Sequence, residues 1–349
     1  MVMGVGCSPR AEPQPAARAG LSADIESPIN RELDADAPIR SEPWEFGGYK
    51  GELVTTPTHL LHVTLADGRL RRALPEFTTA ILDHYRTMVT EPAGLDPLPE
   101  PGERMSTFVF ETRPEWAAWT RWRLDRSAST YLAIERGGYT IDAESVLWDI
   151  GRYDTLCMIA HEGWHQYTQT VFRHPLPTFL EEGLAAYAEG HSFRRTESGP
   201  RFLPWHNFER YGQLRSAVNR DRLIDLDRLL AEPPQRFVGE GERSLLTYYA
   251  QVWAFVHYLM EGESGRYRDG LARLLSDAAH GHIATTLYDA DRSAGRRGRL
   301  LGPDAGRAII SVYFDDDYAR FKAGYESFVR TIVASGNGTR IWRGESPVG

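Results

Sequence analysis

Apolar and polar residues alternate from Tyr49 to Leu65, through Leu53-Val54-Thr55-Thr56 and His59-Leu60-Leu61-His62-Val63-Thr64-Leu65, a period of two that predicts strands. His59 and His62 fall there as strand-surface residues. From Leu70 to Val89 the apolar positions Leu74, Phe77, Ala80, Ile81, Tyr85 and Met88 recur every three or four residues, which predicts a helix packed on that sheet. Ser106-Thr107-Phe108-Val109-Phe110-Glu111 predicts another strand, and Trp116, Trp119 and Trp122, three apart, predict the packing face of a helix. Tyr131 to Ile134, Tyr139-Thr140-Ile141 and Val146-Leu147-Trp148 predict short strands. The last is expected to offer an exposed edge to which an extended peptide adds through main-chain hydrogen bonds.

Helical spacing dominates afterwards. Between Asp154 and Phe172 the apolar or small residues Leu156, Ile159, Ala160, Gly163, Trp164, Tyr167 and Val171 form one face and leave His161 and His165 on an adjoining one. Gly163 costs such a helix about 1 kcal/mol relative to Ala, for which close packing would account. Pro175 and Pro177 end the helix, and Phe179 to Glu189 predicts a second. Beyond Gly190, helices are expected around Phe208–Val218, Leu226–Leu230, Leu245–Glu261, Arg266–Ala279 and Tyr318–Ala334, with loops at Glu232-Pro233-Pro234 and Gly239-Glu240-Gly241. The expected fold class is therefore α+β: an N-terminal mixed sheet-and-helix lobe, a central helix pair and a C-terminal helical lobe.

The first helix of that pair carries His161-Glu162-Gly163-Trp164-His165, and the second carries Glu182, seventeen positions after His165. Side chains four apart share a helix face, with Cβ atoms roughly 5 to 6 Å apart. Two imidazoles so placed can bind one metal. A catalytic zinc takes three protein ligands and leaves a fourth position for water; His161, His165 and Glu182 would be the three, for one Zn2+ per chain. Glu162 lies on the flank of the same face, where a carboxylate can act as general base toward the water. Cys157, a full turn before His161, is expected to be a buried structural thiol outside the ligand set.

The pair HEGWH and FLEEGLAAYAE resembles the gluzincin metallopeptidases, whose second segment reads Trp-Leu-x-Glu-Gly-x-Ala with that Glu as zinc ligand; Phe179 replaces the Trp here, and Glu182 matches the ligand. The resemblance is greatest to bacterial peptidase MA-like proteins of unknown function and extends from about Tyr49 to Leu259. It implies a thermolysin-like catalytic architecture, zinc-dependent hydrolysis of peptide bonds, and a peptide or protein as substrate. The segment Tyr249-Ala250-Gln251-Val252-Trp253 looks like the helix that carries a transition-state tyrosine in the aminopeptidase N-like branch, and the match selects Tyr249 rather than Tyr248. Two readings of Tyr249 stand: a phenol aimed at the oxyanion, or a core residue in the stripe Leu245, Tyr249, Val252, Val256 and Leu259. The Gly-x-Met-Glu-Asn element of that branch has no counterpart in Ile134-Glu135-Arg136-Gly137-Gly138-Tyr139, so an aminopeptidase is not implied, and Glu135 is expected on a solvated strand face. A second functional class is a catalytically silent, metal-containing module that recognises a peptide or cell-envelope component.

Composition narrows the remaining choices. With 349 residues and 42% hydrophobic content the chain can bury a sizeable core. Residues 1–40, rich in Ala, Pro, Ser and charge, are expected to be a disordered leader or tether, 41–190 an α/β lobe with the zinc-binding helices, and 191–349 the mainly helical lobe. Met1-Val2-Met3-Gly4-Val5-Gly6-Cys7 reads either as the end of a truncated lipoprotein signal, with a lipid anchor on Cys7 and a cell-envelope or secreted location, or as a chance cysteine in a tail of a cytoplasmic protein. No transmembrane segment is expected. Net charge is -8 and no basic run exceeds two residues, as in Arg194-Arg195 or Arg296-Arg297, which argues against nucleic acid as a partner. Cys7 and Cys157 are the two cysteines, so no disulfide framework is implied, and nothing specifies an oligomeric state. Trp205-His206 and His280-Gly281-His282 are expected to place their histidines at the surface.

Overall fold

The computed structural model describes residues 31–34, 37–193, 199–290 and 305–348. Most of the expected tail, with Cys7, lies outside the described residues. Contacts gather the described residues into two units, those up to Thr79 with Pro101–Gln166, and Ala80–Glu100 with those from Tyr167 onward.

The first unit is built on a six-stranded sheet. Its elements are β1 (Arg40–Phe46), β2 (Tyr49–Thr55), β3 (His59–Val63), the start of α1 (Gly68–Thr87), β4 (Met105–Phe110), α2 (Arg113–Leu124), α3 (Ala128–Leu132), β5 (Gly138–Ile141), β6 (Glu144–Trp148) and most of α4 (Arg152–Val171). The spatial order is β1-β2-β3-β4-β6-β5, with β3, β4 and β6 parallel and the remaining pairs antiparallel. Gly47 and Gly48, both with positive φ, make the two-residue turn that folds β1 onto β2. A period of two is visible from Tyr49 but not across Arg40–Glu45, which is largely exposed, so β1 goes unpredicted.

Three expectations are corrected here. Tyr131 and Leu132 belong to the helix α3, not to a strand. Val146-Leu147-Trp148 has no free edge, because β6 is paired on one side with β4 and on the other with β5, which the tight turn at Asp142-Ala143 folds back against it; β5 is the edge strand. His59 and His62 are buried, because β3 is an interior strand of the sheet with all its residues covered. His62 stacks on Phe108 with ring centroids 4.2 Å apart and meets Trp44 edge-on at 5.1 Å.

One aromatic cluster holds this unit together. Trp116 and Trp119 on α2 are buried, as their spacing predicts, against Phe108 and Phe110 of β4, Tyr139 of β5 and Trp148 of β6, and Trp122 completes the face from its margin. The alternate residues Thr107, Ser145 and Thr140 point to the other side of the sheet.

The second unit is helical. It contains α5 (Thr178–Ala188), the two-residue strands β7 (His191–Ser192) and β8 (Arg201–Phe202), α6 (Phe208–Asn219), α7 (Leu226–Ala231), α8 (Pro234–Val238), α9 (Glu242–Gly265), α10 (Arg268–His280), α11 (Ile283–Ala290), α12 (Ala305–Ile309), α13 (Tyr318–Ile332) and α14 (Asn337–Trp342). Nearly every residue of α9 from Thr247 to Met260 is buried, because α5, α6, α8, α10 and α13 surround it; a helix apolar on all sides belongs at the centre. Its regular turns stop at Gly262, Glu263 and Ser264, whose backbone is not helical. Trp205 is buried and His206 partly so, its Nδ1 2.8 Å from the His191 carbonyl, while His280 and His282 are exposed as expected. The chain is thus a mixed α+β protein with an N-terminal mixed sheet and a helical C-terminal region. Among the described residues no helix is long and apolar enough to cross a membrane.

Candidate metal centre

The helix that carries the two histidines begins where Asp149 accepts hydrogen bonds from the Thr155 hydroxyl at 2.9 Å and the Gly151 amide at 2.8 Å, turning the chain out of β6 into α4. Along α4, the residues four apart fall into two neighbouring pairs. His161 and His165 form one, and Glu162 and Gln166 the other.

Glu162 and Gln166 meet a row of hydroxyls. Thr107 of β4, Ser145 of β6 and Thr140 of β5 are register partners across three adjacent strands. Thr140 Oγ1 lies 2.9 Å from Glu162 Oε2 and 2.9 Å from the Glu162 carbonyl, and the Ser145 hydroxyl lies 3.1 Å from that same carbonyl. With one proton each, Thr140 donates to the carboxylate and Ser145 to the carbonyl, so both acceptors are served. The Gln166 amide donates to the carbonyls of Ser106 at 2.7 Å and Ala143 at 2.8 Å, and its oxygen accepts from Thr107 at 3.2 Å. All these side chains are buried. A polar network so placed is stabilising only when its members are paired, and the pairing fixes the rotation of α4 over the sheet.

His161, His165 and Glu182 are fully or almost fully buried and offer ligand atoms all within 4.8 Å of one another. His165 Nε2 is 3.3 Å from His161 Nε2. Two nitrogens about 2.0 to 2.1 Å from a tetrahedral ion stand roughly 3.3 Å apart, so this spacing suits chelation. Two neutral imidazoles and one carboxylate are also a donor set zinc favours. The group could hold a metal ion. Cys157 is half-buried where the sequence predicts a buried thiol, and it lies outside the group.

In the helical unit, α5 is buried from Phe179 to Ala188. Its two adjacent carboxylates part company: Glu181 accepts from the Thr168 hydroxyl at 2.6 Å, while Glu182 is the metal-group member. A Cβ on Gly183 would lie 2.7 Å from the Val252 carbonyl oxygen and 2.8 Å from Val256 Cγ2, so glycine lets α5 approach α9 to a distance no other residue permits.

The tyrosines of α9 also separate. Tyr249 is buried with the Arg210 guanidinium 5.0 Å from its ring centre; Arg210 itself is buried and held by Glu189, with contacts of 2.7 and 3.2 Å. Tyr248 stacks on Phe237 of α8 with ring centroids 4.9 Å apart, and its phenol oxygen is buried without a hydrogen-bond partner. Burial first, and then the nearby Glu182 carboxylate, push the Tyr248 phenol well above its ordinary range, so it stays a proton donor. Helical spacing alone does not distinguish Tyr248 from its neighbour. Nor does it reveal Thr107, Thr140, Ser145 and Gln166, although hydroxyls at covered strand positions and a glutamine four residues after Glu162 are visible traces. Glu135 is exposed as expected, in a bend before β5 and not on a strand.

A model for a protein family of unknown function, DUF1570, matches residues 155–281. The DUF1570 match contains α5, α9 and nearly all of α4, and with them His161, Glu162, His165, Glu182 and Tyr248. It leaves out the sheet that supplies Thr107, Thr140 and Ser145. No curated protein matches the chain.

Proposed function

We propose that the chain is a zinc-dependent peptidase with a thermolysin-like, gluzincin arrangement of its catalytic residues, acting on a peptide or protein. The observation that supports it is the buried convergence of His161, His165 and Glu182 beside a glutamate held by Thr140. His161, His165 and Glu182 would hold one zinc per chain, and the ion when bound supplies Lewis acidity and brings the pKa of a water to about 7. Glu162 takes the proton of the attacking water and passes it to the departing amine, which makes a covalent acyl-enzyme unnecessary. Thr140 holds one carboxylate oxygen, so the carboxylate keeps one orientation through the transfer. The Tyr248 phenol, kept protonated by burial, donates to the oxygen on which negative charge develops. Tyr249, packed under Arg210, serves the core in this scheme.

The test is a peptide-library digestion read by mass spectrometry, run on wild type and on Glu162→Gln with metal content measured on both. Near-stoichiometric zinc in both proteins is expected, with chelator-sensitive cleavage by wild type alone. Cleavage at wild-type rate by Glu162→Gln would sink the mechanism. Stoichiometric zinc without any cleavage would favour the metal-containing binding module.

A further inference from the structure

Two adjoining cavities lie in the helical unit, of about 410 and 360 Å3. Arg222, Arg243 and Thr247 line both, so they form the shared wall of one two-lobed groove. Arg222 follows the end of α6, and Arg243 and Thr247 lie in the first turns of α9, immediately before Tyr248. None of His161, His165 and Glu182 lines either lobe.

The charges of this groove do not balance. Two of its acids already have cationic partners, since Asp225 takes the Lys322 ammonium at 2.6 Å and Glu240 takes Arg228. Glu209, which accepts from the neutral Gln213 amide at 3.0 Å, sets one negative charge against the three of Arg220, Arg222 and Arg243. Arg228, at the margin, is saturated by Glu232 and Glu240. Arg222 and Arg243 have no ion pair among the described residues, and Arg220 reaches only the Ser216 hydroxyl. Arg222 Nε is moreover buried with no hydrogen-bond partner. A guanidinium nitrogen removed from water and left without an acceptor is disfavoured, and an oxyanion in the groove would restore the missing bonds in the forked geometry that arginine offers. In a chain of net charge -8, this local excess of cation stands out.

We propose that the groove is an anion-binding site in which Arg222 and Arg243 grip the carboxylates of an acidic ligand, carried by a peptide segment or by a free polycarboxylate. The site does not depend on the metal centre being hydrolytic.

Calorimetric titration of the zinc-loaded full chain carrying Glu162→Gln, so that no peptide is consumed, tests this with four probes: hexaglutamate, hexaglutamine, citrate and inorganic phosphate. Hexaglutamate is expected to bind and hexaglutamine not, with affinity falling severalfold between 50 and 200 mM salt. Binding by hexaglutamate but not citrate or phosphate identifies a peptide as the source; the reverse identifies a free anion. Arg222→Gln with Arg243→Gln should weaken binding tenfold or more, and Arg330→Gln, an exposed charge on α13, should leave it unchanged. Arg243→Gln alone, at an exposed position that folding tolerates, should weaken it at least threefold. Failure of all three anions to bind at millimolar concentration, or equal affinity in the Arg243→Gln protein, would overturn the proposal.

Discussion

The Thr140 hydroxyl of the edge strand β5 lies 2.9 Å from the carboxylate of Glu162 on α4. A hydrogen bond to a charged group is worth about 1.5 to 3 kcal/mol, and here it orients the proposed base. Thr140→Val should therefore lower kcat roughly ten- to a hundredfold with zinc content unchanged, and Thr140→Ser should recover most of the loss. Equal kcat in wild type and Thr140→Val would show that the base needs no such support.

Gln166 ties α4 to two strands through the carbonyls of Ser106 and Ala143. Gln166→Leu keeps much of the volume but removes both amide donors to these carbonyls and the oxygen that accepts from the Thr107 hydroxyl. The expected cost is about 2 to 4 kcal/mol, read as a lower urea midpoint.

Tyr248 and Tyr249 are adjacent, yet only Tyr248 has a buried phenol without a partner beside the charge of Glu182. Tyr248→Phe should reduce kcat by roughly a hundredfold while zinc stays bound, as removal of one oxyanion donor does elsewhere. Tyr249→Phe should leave kcat within twofold. The opposite ranking, measured on any cleaved peptide, would return the role to Tyr249.

Gly183→Ala places a methyl group 2.7 Å from the Val252 carbonyl, a backbone atom that cannot swing aside. Pushing α5 from α9 should cost about 1 to 3 kcal/mol. It also displaces Glu182, so zinc affinity measured against a competing chelator should fall with the melting temperature.

His62, enclosed by Trp44 and Phe108, has its pKa lowered from 6.5 to about 3, by burial first and then by the charge of Arg31. The folded state holds the ring neutral while the unfolded chain protonates it near 6.5, so the unfolded state binds more protons throughout that window. Stability is therefore full above pH 6.5 and falls as pH drops, by about 1.4 kcal/mol per pH unit for this one group. His62→Phe should flatten the acid limb between pH 6 and 4 in denaturation curves, and an unchanged slope would refute the assignment.

How much of this was legible depends on the range of the interaction involved. The helices α1, α4, α5 and α9 follow from the recurrence of Leu74, Phe77, Ile81 and Tyr85 and its counterparts, because helical spacing is set by neighbours three and four residues away. The strands β2 to β4 follow from alternation. Burial of His59 and His62 did not, since a histidine on a strand reads as exposed until a second layer is known to cover it. The edge position of β5 likewise depends on the tight turn at Asp142-Ala143 and on β6 taking the place beside β4.

By itself the sequence determined that His161 and His165 share a helix face, that Glu162 lies beside them, and that a second helix carries Glu182, because these are properties of one turn of backbone. Tertiary structure decided the rest. Pairing across β4, β6 and β5 aligned Thr107, Ser145 and Thr140 beneath Glu162 and Gln166, and packing around α9 left the Tyr248 phenol without a hydrogen-bond partner near Glu182 while setting Tyr249 against Arg210. Strand register and the rotation of one helix against another are set by contacts between residues far apart in the chain, which local periodicity does not encode.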